Sequence, residues 1–501
     1  MCPISIMPAE AGMIFVGDEG RGMTVLQQKN RTILGFSPAQ WFLSALFAIY
    51  MFEYMVTLTF IDQRSAAITG MTWQLYLHYI DYALVALGFV SFALLRRVTE
   101  HFTFRRTLLL LPSVAYGCAM ALLFRLENVA AFSASAMGAA YFMGLLGGMV
   151  YFCMAAALAD SNKMGRVMAL GASTAVLLQY LLQEYWRVTA GIPVALALGF
   201  CAALYLTVRR PWEWLTQDCL PYEAPKPEKE RAMTGALVRL CLNVLCLYAI
   251  STIYDRQMML LNVQSGYEDY NLYAWPRLFT IAGYLLVGVL ADVGGGKLLS
   301  VATLCTALVA LLNPVLFGNP DYYATNMCLF YLCLGGCLSY YNLAFWRIAP
   351  RTGWPELWAS MGRITTNLFS ALLTLTPVGS LSMTAAIAMD VVLFGVLVVS
   401  MAAGGELALA RPAPQETPKP TREQRIRDYC ARCAFTPRET EVFERLITTE
   451  DGVQEIADQL FISRRVLQRY IASIYQKTGT KTRAGLYKSC MEPDERTQTG
   501  S

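Results

Sequence analysis

The chain has 501 residues, of which 56% are hydrophobic and only 15% charged, whereas charged residues make up about a quarter of an ordinary globular chain. That balance excludes a soluble single-domain protein and points to a polytopic membrane protein. The formal net charge of +4 is small, and its meaning lies in where Lys and Arg fall along the chain.

Residues 1–37 hold no short apolar core followed by a small-residue cleavage site, so no cleaved signal peptide is expected. They read as a cytoplasmic leader or as an extension upstream of a start at Met23. From Gln40 to Ala402, windows of about 20 apolar residues, the length of a spanning helix, recur between short polar breaks. Twelve spans are expected, at 39–61, 74–95, 106–125, 130–157, 164–183, 190–208, 236–254, 273–291, 296–315, 325–346, 358–377 and 382–402. Gly144, Gly147 and Gly148 in the long fourth window are candidate points of close helix approach. Seventeen loop Lys and Arg fall on one side, among them Arg96, Arg97, Lys163, Arg166, Lys297 and Arg347. The other side has four: Arg64, Arg125, Arg187 and Arg256. This asymmetry places the N-terminus in the cytoplasm, and an even number of spans returns the C-terminus there.

The order expected is a leader at 1–37, six spans within 38–208, a central cytoplasmic loop at 209–234 and six more spans within 235–402. A Pro-rich linker at 403–424, a soluble domain at 425–491 and a tail at 492–501 follow. Six plus six spans around a charged loop resemble the major facilitator superfamily. The run from Gly288 to Lys297 is similar to that superfamily's Gly-x-x-x-Asp-x-x-Gly-x-Lys loop motif, with Gly296 in place of the usual Arg. The resemblance implies that Asp292 caps a helix end and holds two helices together.

Charges within or beside the spans are costly and mark a site by default. Arg239 and Arg363 lie near expected inner ends, and Asp255 and Arg256 near an outer one, where water is close. Glu184 and Asp390 also lie within or beside the spans; Glu53, Asp81 and Arg277 are the candidate ligand-sensing residues, against the readings of interhelical pairing or an aqueous cavity. Tyr54, Tyr76, Tyr79, Tyr82, Trp73 and Trp275 suit a pocket lining, an interfacial belt or plain packing. The 14 cysteines are scattered, a pattern of small core residues and not of a disulfide framework. Two histidines and one isolated Cys430-x-x-Cys433 pair are too few for a structural zinc. No catalytic residue, metal or cofactor is expected, and the chain does not read as an enzyme.

Beyond the linker, Thr436 with Pro437 and Glu439 forms a capping-box helix start, followed by an apolar stripe of Val442, Phe443 and Leu446. Gly452 precedes a short helix with Ile456, Ala457 and Leu460 facing inward. Ser463 caps a third helix that ends near Gly479, and a fourth starts around Lys481. At 100° per residue, Leu467, Ile471, Ile474 and Thr478 share one side of the third helix. Arg465, Gln468, Arg469, Ala472 and Gln476 share the other. Between Leu460 and Met491 there are seven basic residues and no acidic one; between Phe435 and Asp458 there are seven acidic and two basic. A polyanion is the partner expected of such a polarised domain.

Thr-Pro-Arg-Glu at 436–439, Glu-Ile-Ala at 455–457, Leu-Phe-Ile-Ser at 460–463, Ile-Tyr-Gln-Lys at 474–477 and Gly479 together resemble the LuxR-type (GerE-like) DNA-binding domain. The resemblance implies that the helix starting at Arg464 enters the major groove. It implies DNA contact by Arg464, Arg465, Val466, Gln468, Arg469, Lys477, Lys481 and Arg483. The family's usual Thr-Val-Lys-x-His is Val466-Leu467-Gln468-Arg469-Tyr470 here, so the preferred DNA sequence does not carry over.

The fold class expected is therefore all-α: a polytopic twelve-helix transmembrane bundle followed by a small four-helix helix-turn-helix domain. The function expected is that of a membrane-tethered bacterial transcription regulator with the bundle as small-molecule sensor. The alternatives are a transporter carrying a regulatory domain and an anchor without a ligand. Expected partners are double-stranded DNA, the lipid bilayer, a small-molecule ligand and a second copy on DNA.

Overall fold

The computed structural model describes residues 35–98, 102–159, 161–185, 199, 227–265, 275–317, 320–373, 382–404, 426–427, 429–430, 432–449, 451–480 and 482–491. The expected sixth span apart from Gly199, most of the leader, central loop and linker, the tail and Lys481 lie outside the described residues. No β-strand occurs among the described residues. The chain divides into two compact units, Met1–Leu409 and Ala410–Ser501.

The described helices of the first unit are α1 (Pro38–Thr69), α2 (Met71–Val98), α3 (Phe102–Leu123), α4 (Val129–Ala157), α5 (Met164–Tyr185), α6 (Pro227–Ser265), α7 (Phe279–Asp292), α8 (Leu298–Phe317), α9 (Tyr323–Ile348), α10 (Pro355–Leu373) and α11 (Met383–Ala403). They coincide with every expected span except the sixth. Their starts are coded locally. Ser37 and Gln40 form a reciprocal capping box with Pro38 at the first helical position, Asn128 caps α4 and Ser382 caps α11, each satisfying orphan amide donors.

Eight of these helices are long and apolar enough to cross a bilayer. Three expected spans with a described helix fall short of that standard: α3, whose apolar stretch is the shorter Leu111–Leu123, α7 and α10. α7 has 14 residues and is preceded by a 3-10 turn, Trp275–Leu278, and α10 carries Glu356, Ser360, Arg363 and Asn367 in its 19 residues. Apolar side chains such as Leu286, Val289, Val392 and Val399 point outward, as on a surface bathed in lipid.

Close approach of α2, α4 and α1 depends on the glycines of the fourth helix. A Cβ on Gly144 would strike the Val85 backbone, so α2 and α4 pack backbone to backbone there, while Gly147 and Gly148 leave room for the side chains of Tyr50 and Phe92.

The loop after α7 clamps the two halves. Asp292 Oδ1 accepts from the Gly165 amide at 2.7 Å and Oδ2 from the Arg166 amide at 2.9 Å, capping α5 from outside. The Gly-rich run is required by its backbone: Gly294 and Gly296 have φ of +62° and +97°, where a side chain is strained. A Cβ on Gly296 would also collide with the Arg347 guanidinium, which donates to Ala291 O at 2.5 Å and Gly296 O at 3.2 Å. A second clamp joins Arg96 of α2 to Glu356 of α10, with Arg97 lying over the Trp354 ring.

The second unit holds α12 (Pro437–Thr448), α13 (Val453–Gln459), α14 (Arg464–Thr478) and α15 (Arg483–Met491). Its core gathers Ile426, Tyr429, Val442, Phe443, Ile456, Leu467, Ile474 and Leu486. The rings of Tyr429 and Phe443 stack at 5.4 Å.

Candidate functional site

The helix-turn-helix is built as its caps dictate. Thr436 and Glu439 make the reciprocal capping box of α12, Glu455 closes back on the Gly452 amide at the start of α13, and Ser463 accepts from Val466 N to start α14. Gly479, left-handed at φ +67°, ends α14 in the conformation glycine adopts most cheaply. Thr482 accepts from the Gly485 amide at 3.0 Å, so α15 starts at Arg483, two residues beyond Lys481. Between α13 and α14, Phe461 holds φ +54° with its side chain almost wholly in solvent.

α14 separates two faces. Leu467 and Ile474 are fully buried, and Ile471 and Tyr470 pack against the same core. Arg464, Arg465, Val466, Gln468 and Arg469 are exposed, and none of their side chains makes a hydrogen bond or ion pair among the described residues. They form one basic surface on the first two turns of the helix.

Two other basic residues expected at the DNA surface have internal partners. Lys477 Nζ lies 2.6 Å from Glu439 Oε2 and donates to Ala434 O at 3.1 Å. Arg483 donates to Leu446 O at 2.5 Å, to Asp451 O at 2.7 Å and to Thr449 O, so its guanidinium caps the end of α12 and the loop to α13. Each faces a partner more than thirty residues earlier, a pairing that residue type and local spacing do not reveal.

Glu439 is correspondingly strained between two influences. Burial pushes its carboxyl up, but donors from Lys477, Ser473 and Thr436 outweigh that and hold it at about 2. Burial raises the Cys430 thiol to about 11 and also raises Cys433. Both thiols are free, and burial disfavours the thiolate that redox exchange at this pair needs.

In the first unit, the three candidate sensing residues occupy separate contacts. Buried Glu53 accepts from Tyr116 at 3.0 Å, and Tyr116 also meets Thr57. Half-buried Arg277 reaches the Met55 sulfur at 3.7 Å, about 200° around α1 from Glu53. Asp81 is buried with neither carboxylate oxygen hydrogen-bonded among the described residues. The six aromatic candidates also divide. Trp73, Tyr76 and Trp275 are exposed, Tyr79 and Tyr82 half-buried, and Tyr54 buried.

Arg363 corrects the expectation of a water-washed helix end. It is 6% exposed, donates from Nε to Tyr151 Oη at 2.7 Å and from Nη2 to Met51 Sδ at 3.4 Å, and lies over the Tyr54 ring. Only its regular spacing from Ser360 and Asn367 along α10 hinted at an inward polar stripe.

Residues 434–490 match GerE, the luxR family of bacterial regulatory proteins. The chain carries a LuxR-type DNA-binding domain. The other unit is similar to a Major Facilitator Superfamily transporter, FucP, in the outward conformation, with a TM-score of 0.50 and 11% identity over 73% of this chain and 98% of that one. It is also similar to the human organic anion transporter MFSD10 (TETRAN), with a TM-score of 0.46 and 15% identity over 73% of this chain and 98% of that one. No curated protein matches the chain in sequence. The likeness to FucP shows a fold, and with the eight long apolar helices it makes this a multi-pass membrane protein that bears a LuxR-type domain.

Proposed function

We propose that the chain is a membrane-tethered transcription regulator whose LuxR-type domain binds duplex DNA from the cytoplasmic face and whose helical bundle senses a small molecule. The observation that carries this reading is the first half of α14. Arg464, Arg465 and Arg469 present three charges and Gln468 an amide on the exposed face of a helix anchored by buried Leu467 and Ile474. Arg suits guanine and Gln suits adenine in the major groove, while additional guanidinium groups hold phosphates. Lys477 and Arg483 have a share in the fold, so base reading falls to the first two turns. The excess of loop Lys and Arg on one side supports a cytoplasmic location for both termini, and a second copy would double the surface on a two-part site.

The test is selection of duplexes from a random pool by the full-length protein in lipid nanodiscs, repeated with Arg465→Ala and Gln468→Ala. An enriched sequence that both substitutions relax supports the reading. Binding with no sequence preference at any salt concentration refutes it.

The major facilitator fold favours a second reading, a transporter with a regulatory domain. Uptake by sealed vesicles, measured beside DNA binding, separates the two.

A further inference from the structure

A buried cation without a counter-ion calls for one. Arg363 uses one of its five N–H groups on the Tyr151 hydroxyl and another on a thioether, a weak acceptor. No carboxylate lies within ion-pairing distance of it among the described residues, whereas Arg96 has Glu356 and Arg166 has Asp292. The cation–π contact with Tyr54, at 5.2 Å, offsets only a small part of the desolvation of a guanidinium.

The groups around Arg363 are short of acceptors in the same way. Asn367 Oδ1 accepts from Tyr54 Oη at 3.0 Å, and its Nδ2 is left without a partner. Tyr50 Oη and Trp346 Nε1 are buried and equally unpartnered among the described residues. Their rings sit 6.0 Å and 5.4 Å from that of Tyr151. Asn367 lies one turn beyond Arg363 on the same face of α10, and the three tyrosines come from α1 and α4. The cluster therefore offers a positive charge, spare N–H and O–H donors and aromatic rings, and no carboxylate pairs with it among the described residues.

We propose that Arg363 is the counter-ion of an anionic ligand, a carboxylate or similar oxyanion carried on a flat apolar body, held between α1, α4 and α10. The oxyanion takes the free N–H groups of Arg363, and the rings of Tyr50 and Trp346, which pack edge to face on Tyr151, supply apolar contact to the body. This rests on the reading of the bundle as a ligand-binding domain and names the class of its ligand.

The experiment uses the full-length protein in nanodiscs. Thermal midpoints and tryptophan fluorescence are recorded with benzoate, phenylacetate, benzenesulfonate and the neutral amides of the two carboxylates. Wild type should be stabilised by the anions and not by the amides, with Arg363→Gln losing on the order of a hundredfold in anion affinity. Arg363→Lys keeps the charge and should retain anion preference with weaker binding. Tyr50→Phe, which removes one spare donor without a change of shape, should weaken binding while leaving the midpoint of the unliganded protein unchanged. Equal stabilisation by anions and amides, no response to any of the five compounds, or identical anion responses in wild type and Arg363→Gln would each overturn the proposal. DNA binding, measured in parallel, separates the two readings. Anion binding without DNA binding leaves this site standing and removes the regulator, and the reverse result removes only the site.

Discussion

Lys477 Nζ lies 2.6 Å from Glu439 Oε2, tying the last turn of α14 to the first turn of α12. Because Glu439 also accepts from Ser473 at 2.7 Å and from the Thr436 amide at 2.7 Å, one carboxylate serves as capping-box partner, ion-pair acceptor and interhelical bridge. Its value is held at about 2, below the ordinary 4.5. A carboxylate depressed in the folded state contributes stability that is fully present above pH 4.5 and lost as pH falls toward 2. The isolated LuxR-type domain should therefore melt at progressively lower temperature across that window. Glu439→Gln should flatten this dependence and cost about 1–3 kcal/mol at neutral pH. Calorimetry at several pH values checks both, and an unchanged acid profile in the variant would show that Glu439 is not the titrating group.

The two faces of α14 predict opposite consequences for neighbouring substitutions. Arg465→Ala, Gln468→Ala and Arg469→Ala remove exposed groups and should leave the circular dichroism spectrum intact while weakening DNA binding. A lost bidentate base contact costs about 1–3 kcal/mol of discrimination at one position. Leu467→Ala instead empties a fully buried site and should cost roughly 2–5 kcal/mol, enough to unfold so small a domain. Folded Leu467→Ala beside unfolded Arg465→Ala would reverse the assignment of faces.

Phe461 marks the tight turn of the motif. Its φ of +54° is a region where a side chain costs about 1–2 kcal/mol, and its ring, 95% exposed, returns nothing in packing. Phe461→Gly should thus raise the stability of the domain by about 0.5–1 kcal/mol, the relieved strain being partly offset by the greater freedom of the unfolded chain. Urea denaturation measures it. A destabilised glycine variant would mean that the Phe461 backbone holds no strain that glycine can relieve.

What the sequence made legible was local. Thr436, Pro437 and Glu439, or Ser463 and Gly479, announce helix ends within a few residues, and apolar windows announce spans because lipid imposes a length. Arg363 was not legible as a buried charge. Its position five residues inside the expected span 358–377 looked close to water, and its surroundings come from Tyr54 and Tyr151, over two hundred residues away in the chain. Lys477 and Arg483 looked like the rest of a basic surface for the same reason: their partners, Glu439 and the carbonyls of Leu446 and Asp451, belong to another helix and its loop. Asp292 shows the intermediate case, where the motif pointed to a helix cap and the structure identified the capped amides as those of Gly165 and Arg166.

That cap is itself testable. Asp292 satisfies two amides of the first turn of α5 from a different half of the bundle, where a negative charge also complements the helix dipole. Asp292→Ala should lower stability by about 0.5–2 kcal/mol, the range of a lost N-cap, and Asp292→Asn by less, since one acceptor remains. Scanning fluorimetry of the detergent-purified protein reads the order. If the alanine and asparagine variants melt together with the parent, the clamp contributes nothing to the resting fold.

Arg469 and Arg483 carry the same charge and should behave differently on DNA. Arg469 is exposed and without an internal partner among the described residues, so Arg469→Gln removes a group free to meet phosphate or base. For a phosphate contact, the slope of log affinity against log salt should fall by about 0.9, with the melting temperature unchanged. Arg483 spends its guanidinium on Leu446, Thr449 and Asp451 carbonyls. Arg483→Gln leaves those carbonyls short of donors and should lower stability by about 1–3 kcal/mol. Below its melting temperature this variant should retain the parent's salt slope. A reduced slope for Arg483→Gln with unaltered stability would move Arg483 to the DNA surface and extend the footprint to the start of α15.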